Sequence, residues 1–543
     1  MSFMRKLKRL IHKGGVKLGL VQQHSLGSIT DDPRINVPAE EYDRINKAKR
    51  YYQDNLDPVE YWTLTNHKKK RPLNSVNVLK SASQSLASLM FNEKCSIKVS
   101  DEKLQTLLDQ IFKNNNYYLD QETHLETWLA LGSGAIRPYV DNDEIKLSWA
   151  NATEVYPLEA NTTKVDQIAI SRRLQKVENN EAVYYTLLEF HQWGNWTTDE
   201  QGRKYRPYTI TNELYRSNDP NDVGEQVPLD YVDEYAGLSP TTTINYLEKP
   251  LFAFYRNAGA NNKNLVSPLG MGLCDNWFDT VDDINMVHDS FEWEVKTGYR
   301  RVAIPRSWVR RQTNMNGQPI PEDQQYYWDP EDPVFVPVNT KIDDTSSFKD
   351  LSINIRNEQY EGAMDFFLRE LENDLRLSPG TFTVTPSGVQ TATEVVTNNS
   401  KTYQTRSSYL TMLEKTIDQL VYAIAELLQD GELWSDGKAR WNGDLDNLVI
   451  TPDFADGVFV DREAQRSADL QAVQAQVMPK IQFIMRNYDL DETEAQKWLQ
   501  QIQDEQSPTP PDQEMSMFPS EGGVNREQED NSSSNDAESG SNS

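Results

Sequence analysis

Few residues of this 543-residue chain are spaced for chemistry. Two carboxylate clusters are the strongest candidates. Asp282-Asp283 and Asp141-Asn142-Asp143 each offer oxygen ligands to a divalent cation. The first falls on an acidic helical face and the second in a turn, so solvated carboxylates are the simpler reading of both. The six histidines (His12, His24, His67, His124, His191, His288) are scattered. None forms H-E-x-x-H or sits beside a cysteine at zinc-ligand spacing. Cys95 and Cys274 are the only cysteines; this excludes a disulfide framework and fits a reducing compartment. There is no G-x-x-x-x-G-K-[ST] loop and no G-x-S-x-G elbow. Gly132-Ser-Gly-Ala-Ile-Arg137 begins like a dinucleotide fingerprint but lacks its third glycine and leads into a strand; it reads as a helix-to-strand turn. No catalytic residue, cofactor or metal is assigned, and a non-enzymatic protein is expected.

Composition sharpens that expectation. The formal net charge is -28, whereas a protein that grips nucleic acid presents a basic surface. Nucleic acid is either not a partner or passes without being held. Mean hydropathy is -0.72, yet 12 Trp, 25 Tyr and 17 Phe exclude wholesale disorder and imply apolar surface shared between protomers. The length implies two to four domains. No 18-residue apolar run predicts a membrane span. Residues 1–35 read as a basic, solvated arm, and from residue 506 the chain reads as a disordered acidic tail. His67-Lys-Lys-Lys-Arg71, the densest basic cluster, reads as a solvated loop with phosphate contact as the competing reading.

Helical periodicity appears at 39–55, 73–91, 103–114 and 120–131, and alternation at 135–140, 145–149, 167–175, 182–193 and 205–215. A mainly helical α+β chain is expected. Over 273–298, Leu273, Trp277, Val281, Ile284, Val287, Phe291 and Val295 recur at three or four residues, while Asp275, Asp279, Asp282 and Asp283 occupy the other side. Over 358–377 a second rod carries Glu361, Asp365 and Glu372 opposite its apolar stripe. An uncharged loop follows at 378–390, with Thr381, Phe382, Thr383, Val384 and Thr385 at its tip. A third helix starts with a capping box, Thr391 and Glu394, and runs to 430. Its Leu410, Leu413, Ile417, Leu420, Ile424 and Leu427 form a coiled-coil-like seam. Two more helices are expected at 462–487, kinked at Pro479, and at 491–505.

Four segments, in order, resemble the portal proteins of long-tailed bacteriophages infecting Gram-positive hosts. They are Leu73-Asn-Ser-Val-Asn-Val-Leu-Lys80 with Leu86-Ala-Ser-Leu-Met-Phe-Asn-Glu93; Leu125-Glu-Thr-Trp-Leu-Ala-Leu-Gly-Ser-Gly-Ala-Ile-Arg-Pro-Tyr139 with Ala150-Asn-Ala-Thr-Glu-Val-Tyr-Pro-Leu158; Leu377-Ser-Pro-Gly-Thr-Phe382 with Thr391-Ala-Thr-Glu-Val395; and Asp461-Arg-Glu-Ala464 with Glu492-Thr-Glu-Ala-Gln-Lys-Trp-Leu499. The resemblance covers about residues 40–505. It implies a ring, commonly of twelve subunits, at one capsid vertex, through which double-stranded DNA passes in packaging and ejection. It implies docking of the terminase large subunit and a head-tail adaptor, and contact with major capsid and scaffolding proteins. It implies assembly in the host cytoplasm and residence in the virion, away from any membrane. The parts would be a wing (36–270 and 391–430), two stem helices (271–298 and 356–377), a β-rich clip (299–355), a tunnel loop (378–390) and a helical crown (431–505). Thr381 to Thr385 would face the DNA. The acidic stem face would keep the duplex centred without adhesion. Two rival readings stand beside this one: a minor capsid or scaffold-interaction protein using the seam as a coiled coil, and a metal-dependent nucleic-acid enzyme built on Asp282-Asp283.

Overall fold

The computed structural model describes residues 25–62, 67–92, 94–161, 164–298, 302–305, 318, 335–338, 349–350, 354–383, 400–454, 462–488 and 490–506. The chain divides into two compact units, Met1–Asp461 and Arg462–Ser543. It is an α+β fold, as the mixture of helical periodicity and alternation implies. The first unit contains α1 (Ala39–Tyr52), α2 (Val78–Met90), α3 (Glu102–Asn114), α4 (Tyr117–Leu131), α5 (Phe278–Thr297), α6 (Asn357–Asp374) and α7 (Ser400–Gln429). The second contains α8 (Arg462–Gln474), α9 (Lys480–Tyr488) and α10 (Glu492–Gln506). Pro479 separates α8 from α9 completely where a kink was expected.

The largest sheet is antiparallel. In order its strands are Ser25–Leu26, Gly224–Val227, Tyr208–Ser217, Glu181–Trp193, Lys164–Glu178 and Val155–Asn161, with Thr241–Ile244 also pairing Tyr208–Ser217. A second sheet places Ser133–Asp141 between Ala253–Arg256 and Glu144–Asn151. Two hairpins close on residue pairs in the left-handed region, Asn142-Asp143 and Asn179-Asn180, the side chains that best tolerate a tight two-residue turn. Asp143 accepts hydrogen bonds from the Ser435 backbone N–H and hydroxyl. The Asp141–Asp143 cluster is thus turn chemistry. His191, set between Glu189 and the Tyr208 hydroxyl, and His124, stacked on Trp149, are structural.

The Gly132 segment is the helix-to-strand turn its pattern implied. Gly132 caps α4 at φ +97°, and a Cβ there would lie 2.4 Å from the Gly270 carbonyl oxygen. A Cβ on Gly134 would lie 2.0 Å from Nε1 of the buried Trp128, so both positions admit glycine only.

α7 runs against the second sheet, and its seam is spent there. Leu413, Ile417, Leu420, Ile424 and Leu427 are buried in the unit's main core with Leu273, Phe254 and Trp128. The seam is therefore unavailable to a partner helix, which removes the surface the coiled-coil rival needs. Near the end of α7, the buried Glu426 carboxylate accepts backbone N–H groups of Glu248 and Lys249. Burial pushes it up to about 7 against those two hydrogen bonds. On the same helix burial, with Glu414 nearby, pushes Asp418 up to about 6. Both groups hold protons in the folded chain that the unfolded chain has released. Their contribution to stability is full below the ordinary carboxylate range and is lost as pH rises through 6 and 7. Glu426→Gln keeps an acceptor oxygen without the charge. It is expected to raise the unfolding free energy at pH 8 by about 2 kcal/mol and to leave it nearly unchanged at pH 4.5. Urea titrations at the two pH values check this.

Candidate functional site

The acidic rod begins later than its periodicity suggests. Leu273 to Trp277 form a turn, and α5 starts at Phe278. Asp275 holds that turn. Its carboxylate accepts the Gly272 N–H at 2.6 Å and forms an ion pair with Arg44 of α1. Arg44 also reaches Glu41 and the Gly270 carbonyl. Seven and fourteen residues further on, the same edge is gripped again. The Tyr51 hydroxyl donates to Asp282 at 2.9 Å, and the Arg71 guanidinium pairs with both oxygens of Asp289. Between them the Val76 N–H donates to Asn285. Residues 41–76 thereby clasp one side of α5 along its length.

α6 packs antiparallel on another side. Arg356 forms two parallel bonds to the Glu294 carboxylate, with the Tyr360 hydroxyl as a third donor. These partners hold the Glu294 carboxyl down to about 2. Phe291 and Tyr360 meet with ring centroids 5.3 Å apart. α6 ends where Arg376 turns into the left-handed region and Pro379-Gly380 follows.

The loop after α6 folds back onto the helix through one side chain. Glu372 Oε1 accepts the backbone N–H groups of Gly380 (3.2 Å), Phe382 (2.7 Å) and Thr383 (3.0 Å), and the Thr383 hydroxyl at 3.2 Å. Clustered donors of this kind form a concave anion site, here filled by the protein's own carboxylate. The loop base is tied to α7 by reciprocal bonds between Ser378 and Thr402.

The sequence-derived residues therefore separate. Asp279, Asp282 and Glu361 are exposed, and Asp283 and Asp365 are half-buried, Asp365 beside Arg369. Asp275 and Glu372 are buried and present no charge to solvent. Of the loop tip, Thr381 is exposed, Phe382 is half-buried against the helices and Thr383 is buried. Val384, Thr385 and the capping box at Thr391 and Glu394 lie outside the described residues, as do most of 299–355. Amphipathic counting put Glu372 on the outer face because periodicity is blind to a side chain curling over its own helix end. Arg44 and Tyr51, the partners of Asp275 and Asp282, carry no local signal. Among the described residues no group of three His, Cys, Asp or Glu is placed to hold a metal ion, and no helix is long and apolar enough to cross a membrane.

The described residues thus give an α+β unit with two antiparallel helices, a carboxylate-held loop and a long buried helix. The family model for "Phage portal protein, SPP1 Gp6-like" matches residues 31–508, nearly the whole chain, and the chain belongs to that family. It is thereby a bacteriophage virion component of the genome-packaging machinery. No curated protein matches it. Among solved structures it is similar to a chain of "Neck of native GTA particle computed with C12 symmetry", with 9% identity and a TM-score of 0.35, covering 81% of this chain and 98% of that one.

Proposed function

We propose that copies of this chain close into a ring at one capsid vertex and form the passage for double-stranded DNA in packaging and ejection. The family match over 31–508 carries the reading. The count of twelve, the docking of a terminase large subunit and a head-tail adaptor, and contact with capsid and scaffolding proteins follow from the family resemblance. α5 and α6 are the stem helices and residues 378–390 the tunnel loop. Asp279, Asp282 and Asp283 supply the acidic stem face, whereas Glu361 and Asp365 line the groove between α5 and α6. Phosphate binding strengthens with each cationic contact, so an acidic wall lets the duplex slide. Exposed Thr381 contributes an uncharged surface at the loop. Mass photometry of the purified chain is expected to give a closed particle of about 0.75 MDa, twelve times 62.5 kDa. A stable 62.5 kDa monomer at every salt concentration overturns the reading.

A further inference from the structure

The basic cluster at 67–71 is not a loop. Lys68–Arg71 is a strand, paired antiparallel with Val59–Trp62. A two-stranded hairpin is marginal alone, and this one is held on α5. Arg71 grips Asp289 and lies over Trp293, and Tyr61 packs its ring on Trp293. Direct partners on an antiparallel pair point to one face, and successive residues alternate. The face carrying Val59, Tyr61 and Arg71 therefore meets α5. The other carries Glu60, Trp62, Lys68 and Lys70. Trp62 is 65% exposed, and Glu60 holds the Lys68 and Lys70 ammonium groups beside each other. This is an apolar knob flanked by cations.

The matching hole lies on the same chain. A groove of about 480 Å³ runs between α5 and α6, lined by Val287, Phe291, Met364, Leu368 and Phe382, with Glu361 and Asp365 among its walls. Helical residues advance about 100° each, so Val287 and Phe291 point roughly 160° from Asp289, where the hairpin sits. Knob and groove therefore face away from each other, and the hairpin cannot fill the groove of its own chain. Two complementary patches on opposite sides of one subunit make a head-to-tail contact, the kind that closes rings. We propose that Trp62 of each copy enters the α5–α6 groove of its neighbour, with Lys68 and Lys70 beside that neighbour's Glu361. The contact rests on the ring reading above. A duplex phosphate is the poorer guest, because the exposed indole has no part in a phosphate contact. Tryptophan in a desolvated pocket is a typical dominant contact of an interface, and rim charges fix register.

The test compares full-length wild type, Trp62→Ala and Glu361→Lys by mass photometry over a concentration series, with urea midpoints to show that each is folded. Both substituted residues are exposed. Each variant is expected to need more than about tenfold higher concentration for half-assembly. Rings that form in both variants as in the wild type overturn the contact and leave the ring reading standing. Normal rings whose duplex affinity falls on Lys70→Glu overturn it in favour of a phosphate site. A wild-type chain that never assembles overturns the ring reading and the contact with it.

Discussion

Asp275→Ala is expected to lower the unfolding free energy by about 3 kcal/mol, since the buried Arg44 cation loses one of its two carboxylate partners and the Gly272 N–H loses its acceptor. The Arg44 side chain is 10% exposed, so little water can replace the lost carboxylate. Glu41 remains nearby, but Arg44 would still lose the charge that orients it toward α5. Asp275→Asn separates the two contributions: it can still accept from Gly272 while removing the charge, and is expected to be the milder change. Equilibrium urea unfolding of the full chain measures both. An alanine variant within about 0.5 kcal/mol of wild type would show that the clasp does not fix the start of α5.

Glu372→Ala is expected to cost about 3 kcal/mol locally, since three backbone N–H groups and one hydroxyl lose a charged acceptor together. The effect should be confined to the end of α6 and the loop. Arg376 is exposed and lies between Glu372 and the loop it holds, which makes trypsin a local probe. If cleavage there follows local opening, the rate should rise by about a hundredfold while the global urea midpoint moves much less. Glu372→Gln keeps an uncharged acceptor and should fall between. Equal cleavage rates in wild type and alanine variant would mean that the Ser378–Thr402 bonds alone hold the loop.

These expectations show where sequence periodicity is a good guide and where it stops. The stripes Val281–Ile284–Val287 and Leu413–Ile417–Leu420 identified their helices because burial of one face repeats every three or four residues. The strands through 135–140 and 182–193 were legible for the analogous reason, a period of two bounded by Asn pairs and glycine. The acidic positions were not sorted the same way. Asp275, Asp279, Asp282 and Glu372 look alike in sequence, and only long-range partners distinguish them. Arg44 and Tyr51 are separated from their acids by 231 residues, so no window of sequence contains the pair. The hairpin of Lys68–Arg71 was missed because three exposed lysines in a row carry neither alternation nor β propensity; pairing with Val59–Trp62 and docking on Trp293 override both.

The clasp on α5 also sets an order of events in time. Its four contacts span 231, 231, 209 and 218 residues, so none can form until more than half of the chain has left the ribosome. Until then α1 and the hairpin have no helix to close on, and closing so long a loop comes late and slowly. The same event gives the Trp62 knob its footing and places one wall of the α5–α6 groove. On the proposed ring contact, a nascent chain would therefore lack both halves of the joint, and competence to polymerise would arrive with completion of the subunit's own core.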